Sequence, residues 1–203
     1  MRIVFRLIIV GCIAASFAAA ASGIPTEQRE IMELYRRGLA GDAKAVEDCI
    51  AKLEAVLQKE SSNQLARVYL GSAYTLRSRD LGFGPKKLQA LKQGLATMDE
   101  AVAAAPNEHK VRLARALTTS ALPSIFGRNA SAREDFLFLA NAAQRNPDTF
   151  DADDLALVYY HCGLAAKQAG DKEKALAFWS EALRHRGDAK LVEKINAELA
   201  KLR

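Results

Sequence analysis

Few side chains in this 203-residue chain have the types and spacing that chemistry needs, and each group can be weighed against the reaction it would serve. Gly82-Phe83-Gly84 stands ahead of an apolar helical run and could cradle a phosphate. The preceding strand and the lysine-hydroxyl pair of a phosphate loop are missing, so the segment reads as a connection. Asp148, Asp151, Asp153 and Asp154 could hold calcium. The glycine and terminal glutamate of an EF-hand loop are absent, however, and carboxylates gather at a helix N-terminus for electrostatic reasons alone. His161 beside Cys162 offers two metal ligands, but adjacent helical residues point in different directions, and no C-x-x-C or Cys/His array with zinc spacing accompanies them. A packing cysteine next to a half-exposed histidine is expected instead. Asn129-Ala130-Ser131 is a glycosylation sequon, meaningful only in a eukaryotic secretory host. With no G-x-S-x-G, H-E-x-x-H or paired-carboxylate motif, no catalytic residue, metal or cofactor is assigned. The chain reads as a binding protein, and an enzyme with an unrecognised site is the lesser alternative.

The elements that would position such a surface are legible from turn signals laid beside hydrophobic periodicity. Ile31, Leu34, Tyr35 and Leu39 share one face of a helix closed by Gly41, and Asp42 caps the next, which carries Val46, Cys49, Ile50, Leu53, Val56 and Leu57. Ser61-Ser62-Asn63 breaks that helix. Ala66, Tyr69, Leu70, Ala73 and Tyr74 then recur at the same spacing, and after a punctuated stretch Pro85 opens a helix bearing Leu88, Leu91, Leu95, Met98 and Val102. Val111, Ala114 and Leu117 lead to a stop at Pro123, and Phe136, Leu139 and Ala143 to one at Pro147. Leu155, Val158, Tyr159 and Cys162 are answered across Gly170-Asp171 by Ala175, Phe178, Trp179 and Ala182. Asp188 caps a last helix with Leu191, Ile195 and Leu199 on one side. No segment alternates as a strand would, so the fold class is all-α.

Half of the residues are apolar, enough for one compact domain or one short array of repeats. The breaks between helix pairs near Ser62, Pro106, Pro147 and Gly187 fall at intervals of 44, 41 and 40 residues. Such a period predicts stacked helix pairs, since each helix shows one apolar stripe and a lone pair cannot bury both. The formal charge of +5, or +3 when Arg2 and Arg6 are removed, is too mild for a nucleic-acid partner.

Arg2 and Arg6, the apolar run 7–16 and the small residues 18–21 compose a secretory leader, residues 1–21, cut near Ala20 or Ala21. Two alternatives stay open. The run ends near Ala21, short of the about 20 apolar residues a spanning anchor needs, and Ile9-Val10-Gly11-Cys12 has the form of a lipobox with an unusually short apolar core. The first cut makes a soluble, exported chain, in a bacterium a periplasmic one, and the others a membrane-held one. Cys49 and Cys162 then remain; lying in the first and last repeats, beyond disulfide reach, they are expected as unpaired buried thiols.

The stretch ALVYYHCGLAAKQAGDKEKALAFWSEAL, residues 156–183, resembles a tetratricopeptide repeat: Tyr159 falls on the large aromatic position of the first helix, Gly163 on its small position, Gly170-Asp171 on the turn, and Ala175 and Ala182 on the small positions of the second helix, with Trp179 between. LARVYLGSAYTL supplies Leu70, Gly71 and Tyr74 as a weaker first-helix signature, and MDEAVAAAPN a second-helix ending. The third unit replaces the turn by PSIFGRN and lacks the first-helix glycine, and the first keeps little beyond Gly41-Asp42. The resemblance implies a solenoid of about four helical hairpins over residues 25–187 plus a capping helix over 188–203.

It also implies a binding groove lined by the first helices, for a protein or peptide partner. Carried over position by position, the groove places fall on Tyr160, Leu164, Lys167 and Gln168, and on Val68, Ser72 and Thr75. Tyr160 and Leu164 stand where a carboxylate-clamping lysine and asparagine would be needed, so the chaperone-binding role found in that family is not expected. The long turns suggest a second surface: Arg77, Arg79, Lys86 and Lys87 surround Leu81 and Phe83, while Ile125 and Phe126 lie beside Arg128. Both turns join a first to a second helix and emerge on one edge. That edge either docks a partner protein or an anionic lipid surface, or folds Phe83 and Phe126 back over the hairpin ends.

Overall fold

A computed structural model describes residues 26–185 and 188–202; the leader and the break near Gly187 lie outside the described residues. Among the described residues the chain is all-α, with no strand. The helices are α1 (Thr26–Leu39), α2 (Ala43–Lys59), α3 (Gln64–Asp80), α4 (Pro85–Ala104), α5 (His109–Ser120), α6 (Asn129–Arg145), α7 (Ala152–Gln168), α8 (Lys172–Arg184) and α9 (Ala189–Ala200). Short 3₁₀ turns at Ser124–Phe126 and Pro147–Thr149 sit in two of the connections. No described helix is long and apolar enough to cross a membrane.

Short polar side chains start four of these helices by taking up amides that have no partner inside the first turn. Asp42 accepts from the Ala45 amide at 3.0 Å, Asn63 from Ala66 at 2.9 Å, Asp171 from Lys174 at 3.0 Å, and Asp188 from Lys190 at 3.2 Å. Asn63, read from sequence as part of a break, is thus also the cap of α3. Before Asp42 and Asp171 stand Gly41 and Gly170 with φ of 106° and 80°, so a Gly-Asp pair reverses the chain and caps the next helix in one step.

Connections of three to eight residues turn the chain back between α1 and α8, so α1, α3, α5 and α7 run in one direction and the even helices in the other. Each helix packs on its successor, and α1 also meets α3, α3 meets α5, and α7 meets α9. The apolar interior follows that order in three separate clusters. Ile31, Tyr35, Val46, Ile50 and Tyr74 join α1 to α3. Val68, Met98, Val102 and Val111 join α3 to α5. Leu113, Phe136, Leu139, Val158, Trp179 and Ile195 join α5 to α9. Cys49 and Cys162 are free, lie in different clusters, and have their thiols pushed up to about 12 by burial.

Two crossings are closer than ordinary side chains permit. A methyl group on Gly71 would lie 2.7 Å from the Gly94 carbonyl oxygen, and one on Gly94 2.5 Å from that of Gly71, so α3 and α4 touch backbone to backbone. A methyl group on Gly163 of α7 would fall 2.2 Å from Trp179 Nε1 of α8. That indole is fully buried and donates to the Tyr160 carbonyl at 3.1 Å, which fixes the ring against the bare glycine.

Candidate functional site

Much of the polar side-chain chemistry is drawn into the joints between helices. On α3, residues 70–75 are all buried, a run that covers the whole circumference of a helix. The cause is that α3 is packed by α1, α2, α4 and α5 at once. Val68, Ser72 and Thr75, assigned by the resemblance to a groove, are therefore interior, at 0%, 1% and 7% exposure. Ser72 sits in a hydroxyl relay: Tyr35 Oη lies 2.7 Å from Ser72 Oγ, which lies 2.8 Å from Thr118 Oγ1, which donates to the Ala114 carbonyl at 2.8 Å. Each hydroxyl has one proton, and that of Thr118 goes to the carbonyl, so Ser72 donates to Thr118 and Tyr35 donates to Ser72. The relay ties α1, α3 and α5 together with every proton committed. Thr75 Oγ1 donates to the Ser72 carbonyl at 2.7 Å.

At the other end of the candidate groove, Tyr160 and Leu164 are half-buried against the third cluster. Lys167 reaches Glu198 of α9 at 2.5 Å, and only Gln168 is exposed. The two groups assigned to one groove are thus not displayed alike: the α3 set is sealed inside, and the α7 set lies beside the terminal helix.

The edge residues divide as well. Arg77 is paired with Glu47 at 2.5 Å and lies over the Tyr74 ring. Arg79 donates to the Gly38 carbonyl at 2.8 Å and pairs with Asp80, satisfying the C-terminal end of α1. Arg128 pairs with Asp99 of α4 at 2.5 Å. Lys87 donates to the Ser78 carbonyl at 2.8 Å and closes α3 in the same way. Of the cations named from sequence, Lys86 alone has no ion-pair or hydrogen-bond partner among the described residues and is exposed. Phe83 and Ile125 do not fold back, while Phe126 is largely covered. Phe83 is 106% and Ile125 85% exposed, and Phe126 lies at 37%.

Sequence reasoning missed the most connected polar group. Asp135 of α6 is completely buried, and its Oδ1 receives Arg112 Nη1 at 2.5 Å and Arg115 Nη2 at 2.8 Å, while Oδ2 receives Arg115 Nε at 2.7 Å. Arg115 Nη1 donates on to Asp99 at 3.0 Å, and the Arg112 guanidinium lies 4.0 Å over the Phe138 ring. Burial works against the charge on Arg115, but the bonds to Asp135 and the nearby carboxylates outweigh it and hold its pKa raised. The group joins α4, α5 and α6 with its donors turned inward, so chemically it is a charged joint. Its signal was readable: Asp135 lies on the apolar stripe between Ala132 and Leu139, and Arg112 and Arg115 are three residues apart on one helix face.

The acidic cluster also serves structure. Asp151 pairs with Lys110 at 2.8 Å, linking α7 to α5, and Asp153 and Asp154 occupy the first turn of α7. No three His, Cys, Asp or Glu side chains among the described residues are grouped as a metal site. His161 stacks face to face on Phe136, with centroids 4.5 Å apart and planes 4° from parallel. Burial, with the Lys194 charge behind it, pulls its pKa down from 6.5 to about 4. Between those two values the unfolded chain binds a proton that the folded chain refuses, so His161 leaves stability intact above 6.5 and erodes it as pH falls toward 4. His161 as a whole is half-buried, and the effect is on the order of 2 kcal/mol. Urea midpoints at pH 7 and pH 4.5 should therefore separate less for His161→Phe than for the wild type. An unchanged separation refutes the assignment.

Comparisons with protein-family models, with curated proteins and with solved structures return no match for this chain.

Proposed function

We propose that the chain is an exported, periplasmic interaction scaffold of tetratricopeptide type, without catalytic activity of its own, that holds a protein or peptide partner. The observation that carries this reading is the serial packing: helices joined by short turns, an interior divided into clusters each shared by neighbouring hairpins, and glycines at the α3–α4 and α7–α8 crossings, where the resemblance needs small residues. Arrays of this kind bury surface between units and leave long faces for a partner. Ser72, Asp135 and Asp42 hold contacts within the fold, in the hydroxyl relay, the Asp135 joint and a helix cap. Export rests on the charged, apolar and small-residue succession of residues 1–21.

The partner face we favour is the one beside α9, where exposed Gln168 adjoins half-buried Tyr160 and Leu164. A photo-crosslinking side chain at position 168, in the host cell, is expected to trap one protein reproducibly, and that protein should in turn retain this chain. Trapping no better than from position 44, on exposed Lys44 of α2, overturns the reading. The lipobox Ile9-Val10-Gly11-Cys12 favours a second version, an adaptor held on a membrane by its N-terminus. The mass of the isolated protein separates the two: cleavage near Ala20 or Ala21 supports the soluble form, and a lipid on Cys12 or an intact N-terminus the anchored one.

A further inference from the structure

The exposed apolar side chains are not scattered. Of the six large ones open to solvent among the described residues, Phe83, Leu88, Ile125 and Phe126 belong to the α3–α4 and α5–α6 connections and the first turn of α4. Both connections follow helices that run in the same direction, so they leave the fold at the same end. Thr118 near the end of α5 lies opposite Ser72 in the middle of α3, which sets the end of α5 about 9 Å lower, at 1.5 Å per residue. The α5–α6 connection is eight residues long against four for α3–α4, enough chain to make up that step.

Positive charge accompanies these apolar residues. No acidic residue occurs from position 81 to 98 or from 109 to 133. Some exposed cations elsewhere face carboxylates, as in Lys44–Asp48, Lys52–Glu30 and Arg184–Glu181, while Arg29, Arg145, Lys172 and Lys190 have no ion pair among the described residues. Lys86, Lys92 and Arg133 are exposed and have no ion pair among the described residues. Solvated apolar tips ringed by unneutralised cations match the interface of an anionic bilayer, where apolar side chains enter the headgroup boundary and cations remain over it.

We propose that this end of the molecule docks on an anionic lipid bilayer, with Phe83 and Ile125 entering the interface and Lys86, Lys92 and Arg133 meeting the headgroups. The docking goes beyond the scaffold reading and does not depend on it. Because an apolar N-terminus would bind vesicles by itself, the readout belongs at the tip. The full chain carrying Phe83→Trp is mixed with vesicles of phosphatidylcholine alone or of phosphatidylcholine and phosphatidylglycerol in equal parts. Trp179 is fully buried and contributes a constant background. With anionic vesicles the emission should move to the blue and acrylamide quenching should fall, and Lys86→Glu with Lys92→Glu should raise the lipid concentration required about tenfold or more. Three results overturn the proposal: attachment without an emission change at position 83, equal response to the two kinds of vesicle, or indifference to charge reversal. Shielding of position 83 by a protein, with no response to either vesicle, overturns it in favour of a protein partner.

Discussion

Asp135→Ala is expected to lower the unfolding free energy by about 3–5 kcal/mol, the usual cost of removing one partner from a buried ion pair. The substitution leaves Arg112 and Arg115, each 13% exposed, with Arg112 deprived of its carboxylate and Arg115 holding only the half-exposed Asp99. Two guanidinium groups would then have to rehydrate, which α4, α5 and α6 can allow only by separating. Domains of this size are stable by about 5–15 kcal/mol, so the loss is a large share of the total. Urea unfolding followed by circular dichroism measures it. Adding Arg112→Met to Asp135→Ala should return part of the loss, because it removes one of the stranded charges. A loss below about 1 kcal/mol for the single variant would show that the joint is solvated and contributes little.

The second large effect is expected where α7 meets α8. Trp179→Ala should cost about 3–5 kcal/mol, the range for emptying a well-packed indole site. The more telling result concerns Gly163. In the wild type a methyl group there would strike the indole at 2.2 Å, so Gly163→Ala should destabilise by about 1–3 kcal/mol through overpacking. In the Trp179→Ala background the obstacle is gone, and alanine is the better helix former by about 0.5–1 kcal/mol. The same substitution should then be neutral or stabilising. Thermal unfolding of the four chains in this cycle gives the coupling directly. Additive effects would mean that the indole does not occupy the space above Gly163.

These two sites differ in how far the sequence disclosed them. Gly163 and Trp179 stood at marked positions of one quoted stretch, so their meeting was readable before any coordinates. The nine described helices were readable too, because apolar residues recur every three or four positions and Gly, Pro and Asp mark the ends. Depth was harder to read. Val68, Ser72 and Thr75 were assigned to a groove by their positions in the repeat it resembles, but α3 is enclosed from four directions, and enclosure is set by the neighbours. Gly94 gave no sign of its contact with Gly71, since a close crossing depends on the register of two helices. Arg79 and Arg128 looked like free edge charges because their acceptors, Gly38 and Asp99, lie 41 and 29 residues away.

The division of the apolar interior into three clusters governs how injury would spread. A void opened at Ile31 in the first cluster and another at Ile195 in the third share no packing neighbour, so their costs should simply sum. The Asp135 joint differs, since it clasps α4, α5 and α6 and damage there reaches three helices at once. The terminal hairpins are therefore the parts most readily altered or replaced without rewriting the rest.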